Sequence, residues 1–471
     1  MKEYKFWFVV GSQFLYGDET LKKVEINSKD IVSKLNENGL LDYKIIFKKV
    51  VTTAEEITET MKEANYNDDV AGVITWMHTF SPAKMWIRGT QLLQKPLLHL
   101  ATQYNESIPW KDIDMDYMNL NQSAHGDREY GYINSRLRKN NKIIFGYWEN
   151  NETQEEINRW MNVAIGYNES FNIKVARFGD NMRSVAVTEG DKIEAQIKFG
   201  WVVDYYAVGD LVKAINEVKD EDVDALYKTY SDKYIFEYEE DEIEYFEKSV
   251  KYQARLEIAL DRFLSNGGYT AFTTNFEDLY GMDQLPGLAV QRLNEKGYGF
   301  AGEGDWKTAA LDRLFKIITN NYATGFTEDY TYELKKGKEA VLEAHMLEVD
   351  PTMADENIKI VVKPLSIGNK QDPARFIFDS KKGDAVVTTM ADFGERFKVI
   401  TNSVEIVSPG EKAPNLPVAR VYWKPNPDLE TVVSRWIEEG GGHHSVVSMG
   451  LTLEQVRDLF RMFETETIEI K

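Results

Sequence analysis

The sequence predicts an α/β protein: two doubly wound α/β domains followed by a C-terminal β-barrel-like domain, divided at 1–173, 174–324 and 325–471. Three observations carry that expectation. Strand and helix patterns alternate through the first third of the chain, as in a parallel sheet with crossover helices. The alternation restarts near Lys174. Beyond about Gly325, short β-rich segments punctuated by turn residues replace it. With 471 residues, 43% of them hydrophobic, the chain is too long for one core and apolar enough to fill several.

In the first domain a strand is expected over 5–10, entering a loop at Gly11-Ser-Gln13. A helix follows over 19–37, with Leu21, Val24, Ile31 and Leu35 as its apolar points. A strand over 43–51 leads into Thr52-Thr-Ala-Glu55, which reads as a capping box opening a helix. Strands over 70–76 and 96–100 continue the pattern. Right-handed crossovers bring the strand-end loops to one edge, and Gln13 and His78 fall on such loops. In the second domain, 173–178 and 185–188 read as strands. A long helix is expected over 242–264, with Phe246, Val250, Leu256, Ala259, Leu260 and Phe263 toward the core. The acidic run 237–244 reads as a solvated face. In the third domain, strands are expected over 340–349, 358–362, 375–378, 384–389, 398–407 and 419–423, with a last helix over 453–463.

The totals exclude several functions. A net charge of −21 repels polyanions, which argues against a nucleic-acid partner. The absence of cysteine excludes disulfides, thiolate metal sites and a cysteine nucleophile. The N-terminal apolar run is too short for a signal peptide, and no stretch approaches the roughly 20 apolar residues of a membrane span. These readings point to a soluble cytoplasmic protein.

The six histidines and two glutamates draw the eye. Glu303 lies between Gly302 and Gly304, and Asp305 is a good N-cap for a helix over 306–318. In isolation the plainer reading of Glu303 is a loop residue before a helix. Glu328 precedes a strand-like alternation. His345 falls in a segment whose alternation puts it on one face with Leu347 and Val349, where a core histidine is the plainer reading. His443 and His444 follow three glycines, and in an extended chain only one of the two readily faces a given metal. Two glutamates and two or more histidines, with no thiol, make a donor set for a hard or borderline divalent cation. His125, Asp127 and Arg128 form a polar group that suits either a site or a surface helix. Gly297-Tyr-Gly-Phe-Ala-Gly302 matches the dinucleotide fingerprint by letter, but a helix end rather than a strand precedes it.

Taken together, the segments 10–17, 76–86, 125–131, 177–183, 273–278, 301–308, 328–331, 345–348, 372–375 and 441–444 resemble the L-arabinose isomerases, and the resemblance runs essentially the whole chain. It implies the fucose/arabinose isomerase type of fold. It implies one divalent cation, usually Mn²⁺ with Co²⁺ or Mg²⁺ as substitutes, held by Glu303, Glu328, His345 and His444. His443 would then lie beside the substrate. Gln13, Leu15, Met182 and Phe276 match sugar-lining positions, Ile367 less securely. His125 matches a histidine given by a neighbouring subunit of a homohexamer or homotetramer. Two departures stand out: Gly442 replaces a threonine or similar residue before the histidine pair, and the tail after the last helix is short.

The reaction implied is the isomerisation of L-arabinose to L-ribulose through a cis-enediolate, with D-galactose to D-tagatose as a second conversion. Glu303 and Glu328 would supply acid and base. The alternatives are an L-fucose isomerase-like enzyme and, from another class, a non-catalytic sugar-binding protein. A retaining glycosidase would also use two glutamates, without metal.

Overall fold

The apolar run after Tyr4 becomes β1 (Lys5–Gly11), buried from Phe6 onward within a five-stranded sheet. The computed structural model describes residues 2–355, 358–365, 367 and 369–471. The chain divides into two compact units, Met1–Asn168 and Glu169–Lys471.

In the first unit, β1 is joined by β2 (Lys44–Val51), β3 (Val70–Met77), β4 (Leu97–Ala101) and β5 (Lys142–Phe145). All pair in parallel, in the order β2-β1-β3-β4-β5. Every residue of β3 is buried, as expected of a central strand covered on both faces. The helix Gly17–Glu37 buries Val24, Ile31 and Leu35 as expected, while Leu21 stays partly exposed. The capping box differs by one position. Thr53 is the N-cap and accepts from Glu56 N–H, while the Glu56 carboxylate returns to the Thr52 N–H at 2.9 Å. Glu55 therefore plays no part: the acid must sit three residues after the cap to reach back.

In the second unit, β6 (Lys174–Phe178), β7 (Val202–Tyr206), β9 (Ala271–Thr274) and β10 (Gly299–Ala301) form a parallel sheet, while β8 (Ile235–Phe236) lies elsewhere. The order is β10-β9-β6-β7. The expected strand at 185–188 is instead a 3₁₀ turn, Ala186–Thr188. Thr188 Oγ1 donates to Val185 O, and the Asn181 amide donates to Thr188 O, so local hydrogen bonds take the groups a ladder would need. The helix Ile243–Gly267 buries Phe246, Val250, Leu256, Ala259 and Leu260. Phe263 is only partly buried, but its ring meets Phe178 edge-on at 5.1 Å. The acidic run before it is largely exposed.

The rest of this unit is β-rich. It comprises β11 (Thr324–Glu333), β12 (Ala340–Ala344), β13 (Lys359–Val362), β14 (Ala374–Ile377), β15 (Gly383–Asp392), β16 (Phe397–Ile406), β17 (Val421–Pro425), β18 (His444–Ser448) and β19 (Glu466–Ile470). Seven of them run in the order β15-β18-β11-β12-β17-β16-β19, and β15 also pairs with β16. The pairing closes a ring of six strands, with β19 added in parallel beside β16. The strands β13 and β14 stand apart from the ring, with β8. One expected strand is shorter than its sequence pattern. β12 stops at Ala344 instead of running to 349, because the Glu348 side chain folds back onto His345 and Leu347 N–H.

Candidate active site and metal centre

Glu303 sits in the loop after β10, at the carboxyl edge of the parallel sheet, where open α/β sheets gather their ligands. Its backbone is left-handed, φ 60°, and Gly304 follows at φ 77°. A non-glycine residue held in that region is strained, a cost found mostly at functional positions. Two neighbouring loops tie it down. Met182 N–H donates to Glu303 O at 2.9 Å, and Gly304 N–H donates to Thr274 O at 3.1 Å.

The other donors come from three adjacent antiparallel strands and the residues that flank two of them. Glu328, in the middle of β11, is in register with His444 on β18 and with Ala344 at the end of β12. His345 is the next residue after that pair. Thus β11 sets one carboxylate between two histidine-bearing neighbours. Phe326, two residues before Glu328 and fully buried, spaces the imidazoles: its ring lies 4.9 Å from His345 and 5.0 Å from His444.

Four ligand atoms, from Glu303, Glu328, His443 and His444, lie within 4.8 Å of one another. His443 Nε2 is 3.6 Å from Glu303 Oε2 and 3.8 Å from Glu328 Oε1. His444 Nε2 is 3.7 Å from Glu303 Oε2. The two adjacent histidines therefore face the same carboxylate, against the expectation of opposite directions. The reason is that β18 begins only at His444, so His443 still belongs to the turn after the glycines. His345 approaches from the other side, with Nε2 3.9 Å from Glu328 Oε2.

Two of the three imidazoles are backed by carboxylates. His444 Nδ1 lies 3.0 Å from Asp305 Oδ2, and His345 Nδ1 lies 2.5 Å from Glu348 Oε2. An ionised carboxylate only accepts, so each Nδ1 carries a hydrogen, and in the neutral ring each Nε2 turns a lone pair toward the site. Asp305 is also the N-cap of the helix Trp306–Ile318. Burial works against its charge, but Lys307 and then His444 outweigh that and hold its carboxyl well below the usual range. Asp305 and Glu348 had no site role in the sequence reading. The only signal was position: two residues after Glu303, and three after His345 within a turn.

The cluster could hold a cation. His444 Nε2 and Glu303 Oε2 are buried without a hydrogen-bond partner. Each such group costs about 1–3 kcal/mol if left unpaired. Burial alone would raise the Glu303 pKa, but His443, His444 and His345 together draw it below the usual carboxylate range. Burial likewise disfavours charge on His345, yet Glu348 with Glu328 and Glu303 pushes it up to about 9. The Glu303 carboxylate, 3.6 Å away, raises His443. Oxygen and imidazole donors without thiols suit a hard or borderline divalent ion. A cavity of about 980 Å³ opens beside His345, lined among others by Tyr330, Met346, Leu365 and Leu416.

The remaining candidate residues lie as follows. Met182 and Phe276 are partly buried on the loops after β6 and β9. Ile367 is partly buried between β13 and β14. In the first unit, Gln13 caps the 3₁₀ turn Phe14–Tyr16 after β1, and Leu15 in that turn is 83% exposed. His125 is exposed on the helix Ser123–Arg136, stacked on Phe80 at 4.3 Å.

Three family models match the chain in succession. They describe the L-arabinose isomerase N-terminal domain over residues 1–172, the central domain over 174–321 and the C-terminal domain over 323–466. The chain belongs to the L-arabinose isomerase family. It is 62% identical over 471 residues to the L-arabinose isomerase of Oceanobacillus iheyensis, covering 100% of this chain and 99% of that one. Against L-arabinose isomerase 1 of Clostridium acetobutylicum it is 63% identical over 469 residues, 100% of this chain and 96% of the relative. Against the L-arabinose isomerase of Levilactobacillus brevis the figures are 59% over 460 residues, 98% and 97%. Membership makes it an isomerase, an intramolecular oxidoreductase, of the mixed α/β architecture described above. Among the described residues, no helix is long and apolar enough to cross a membrane.

Proposed function

We propose that this enzyme converts L-arabinose to L-ribulose, with D-galactose to D-tagatose as a second conversion, and that it needs one divalent cation, Mn²⁺ first. The observation that carries the proposal is the convergence of Glu303, Glu328, His443 and His444, with Glu303 Oε2 and His444 Nε2 buried and unpartnered. In this reading the ligands are Glu303, Glu328, His345 and His444. The tightest geometric set has His443 in place of His345. The backed imidazoles favour the first set: Glu348 and Asp305 accept from Nδ1 of His345 and His444, whereas the His443 side chain is 35% exposed and suits contact with substrate.

Once bound, such a cation would polarise the sugar oxygens at C1 and C2. The chain's own groups do the rest. Glu303 and Glu328 are the pair that moves protons between those carbons and oxygens. His443, its charged form favoured by Glu303, faces the same space and offers a hydrogen to a substrate oxygen. For sugar contact we assign Gln13, Leu15, His125, Met182, Phe276, Ile367 and His443, as the family resemblance implies. The same resemblance supports a cytoplasmic homohexamer or homotetramer and a division at 1–173, 174–324 and 325–471.

The test is ketose formation by the purified protein after EDTA treatment, with and without Mn²⁺. Activity should vanish with EDTA and return with Mn²⁺. Ketose formation that survives full metal removal would sink the metal requirement. No ketose from L-arabinose under any metal would sink the substrate.

A pH effect follows from His345. Its metal-free pKa is about 9 against an ordinary 6.5, so the shift stabilises the metal-free fold below pH 6.5, and that contribution is lost as pH rises through 9. The same proton competes with metal for Nε2. Mn²⁺ affinity should therefore climb by up to roughly tenfold per pH unit toward pH 9 and then level off. Thermal melts should show the gap between loaded and metal-free protein widening over that window. A constant gap would remove His345 from the ligand set.

A further inference from the structure

His345 lies outside any strand, yet its ring must be aimed as firmly as if it were in one. The ring is held at Nδ1 by Glu348, and the Glu348 carboxylate is fixed in turn by Leu347 N–H at 2.8 Å. The direction of Nε2 therefore depends on where the backbone at 348 sits. No β ladder reaches that backbone, because β12 has already ended at Ala344.

Two buried helices supply the missing holds, on three consecutive residues. From the helix Gly287–Glu295, Asn294 Nδ2 donates to Glu348 O at 2.9 Å. One turn earlier, Gln291 Nε2 donates to Val349 O at 3.2 Å, while its Oε1 accepts from Phe376 N–H at 2.7 Å. Gln291 thus acts as a bridging strand between the segment and β14. From the helix Trp306–Ile318, Lys316 Nζ lies 2.9 Å from Asp350 Oδ2. Asn294, Gln291 and Lys316 are all fully or almost fully buried. Buried polar side chains are expensive unless their hydrogen bonds accomplish something an apolar residue cannot.

We propose that Asn294 and Gln291, seconded by the Lys316–Asp350 pair, are positioning residues for the His345 imidazole: they place Glu348 and so aim Nε2 into the donor cluster. The proposal rests on the reading of His345 as a metal ligand. Outer partners of metal-bound histidines typically contribute 10–100-fold in metal affinity, and these residues stand one step further out.

The experiment is a double-mutant cycle on the full chain, with Mn²⁺ affinity measured by calorimetry on metal-free protein and the melting temperature recorded alongside. Asn294→Leu should weaken Mn²⁺ binding by roughly tenfold. In a His345→Ala background the same change should cost nothing further. Unchanged affinity in Asn294→Leu, or an equal loss in both backgrounds, would show that Asn294 only satisfies a buried carbonyl and would overturn the proposal. If Asn294→Leu does not fold, Gln291→Met takes its place in the same cycle with the same criteria. His345→Ala with wild-type Mn²⁺ affinity would instead overturn the ligand reading on which the inference stands.

Discussion

Glu303→Gln is expected to lower turnover of L-arabinose by roughly 10²-fold or more, the usual scale for losing a positioned acid or base. The substitution keeps the size of the side chain, so the strained loop at φ 60° and its backbone ties to Met182 and Thr274 have no reason to change. What it removes is the charge that His443, His444 and His345 all stabilise. The measurement is kcat at saturating Mn²⁺, with metal content determined in parallel. Loss of kcat with metal retained places the proton transfer on Glu303. Loss of both makes it chiefly a ligand, and near-wild-type turnover would remove it from the mechanism.

Gly302→Ala should damage the same site without replacing any proposed ligand. A Cβ at that position would lie 2.6 Å from His345 Cε1 and 2.8 Å from Nε2, closer than atoms pack. Gly302 has no positive φ, so the glycine is required for space and not for torsion. Elsewhere an imidazole would swing aside at little cost. Here Glu348 pins it, so either His345 leaves the cluster or the loop carrying Glu303 moves. Overpacking of this kind costs about 1–3 kcal/mol of stability. A displaced donor should also weaken Mn²⁺ binding by roughly 10–100-fold. Calorimetric titration with Mn²⁺ checks it, and wild-type affinity would mean that the ring has room to yield.

Much of the scaffold was legible in the chain. Apolar runs gave four of the five parallel strands of the first unit, missing β5, and Asp305 announced the helix that starts at Trp306. Two of the strand errors, at 185–188 and 345–349, share a cause. Periodicity reports which residues are apolar, and it is blind to side chains that take backbone hydrogen bonds away from a ladder. Thr188 and Asn181 did this at 185–188, and Glu348 did it at 345–349. The site itself was legible only as a set of residue types. That Glu328 stands opposite His444 is a matter of strand register, which is set by long-range pairing and not written locally. The orphaned atoms of Glu303 and His444, and the carboxylates behind two imidazoles, needed coordinates.

His444 opens β18, which must slot between β11 and β15 before the ring of strands can shut. Pairings of such long range carry the greatest loop-closure entropy and come late in folding. A divalent ion bound there would therefore meet its full set of donors only in the finished molecule. It would behave as a latch and not as a template: folding rate should be indifferent to it, while the half-life of the folded state should lengthen with free metal.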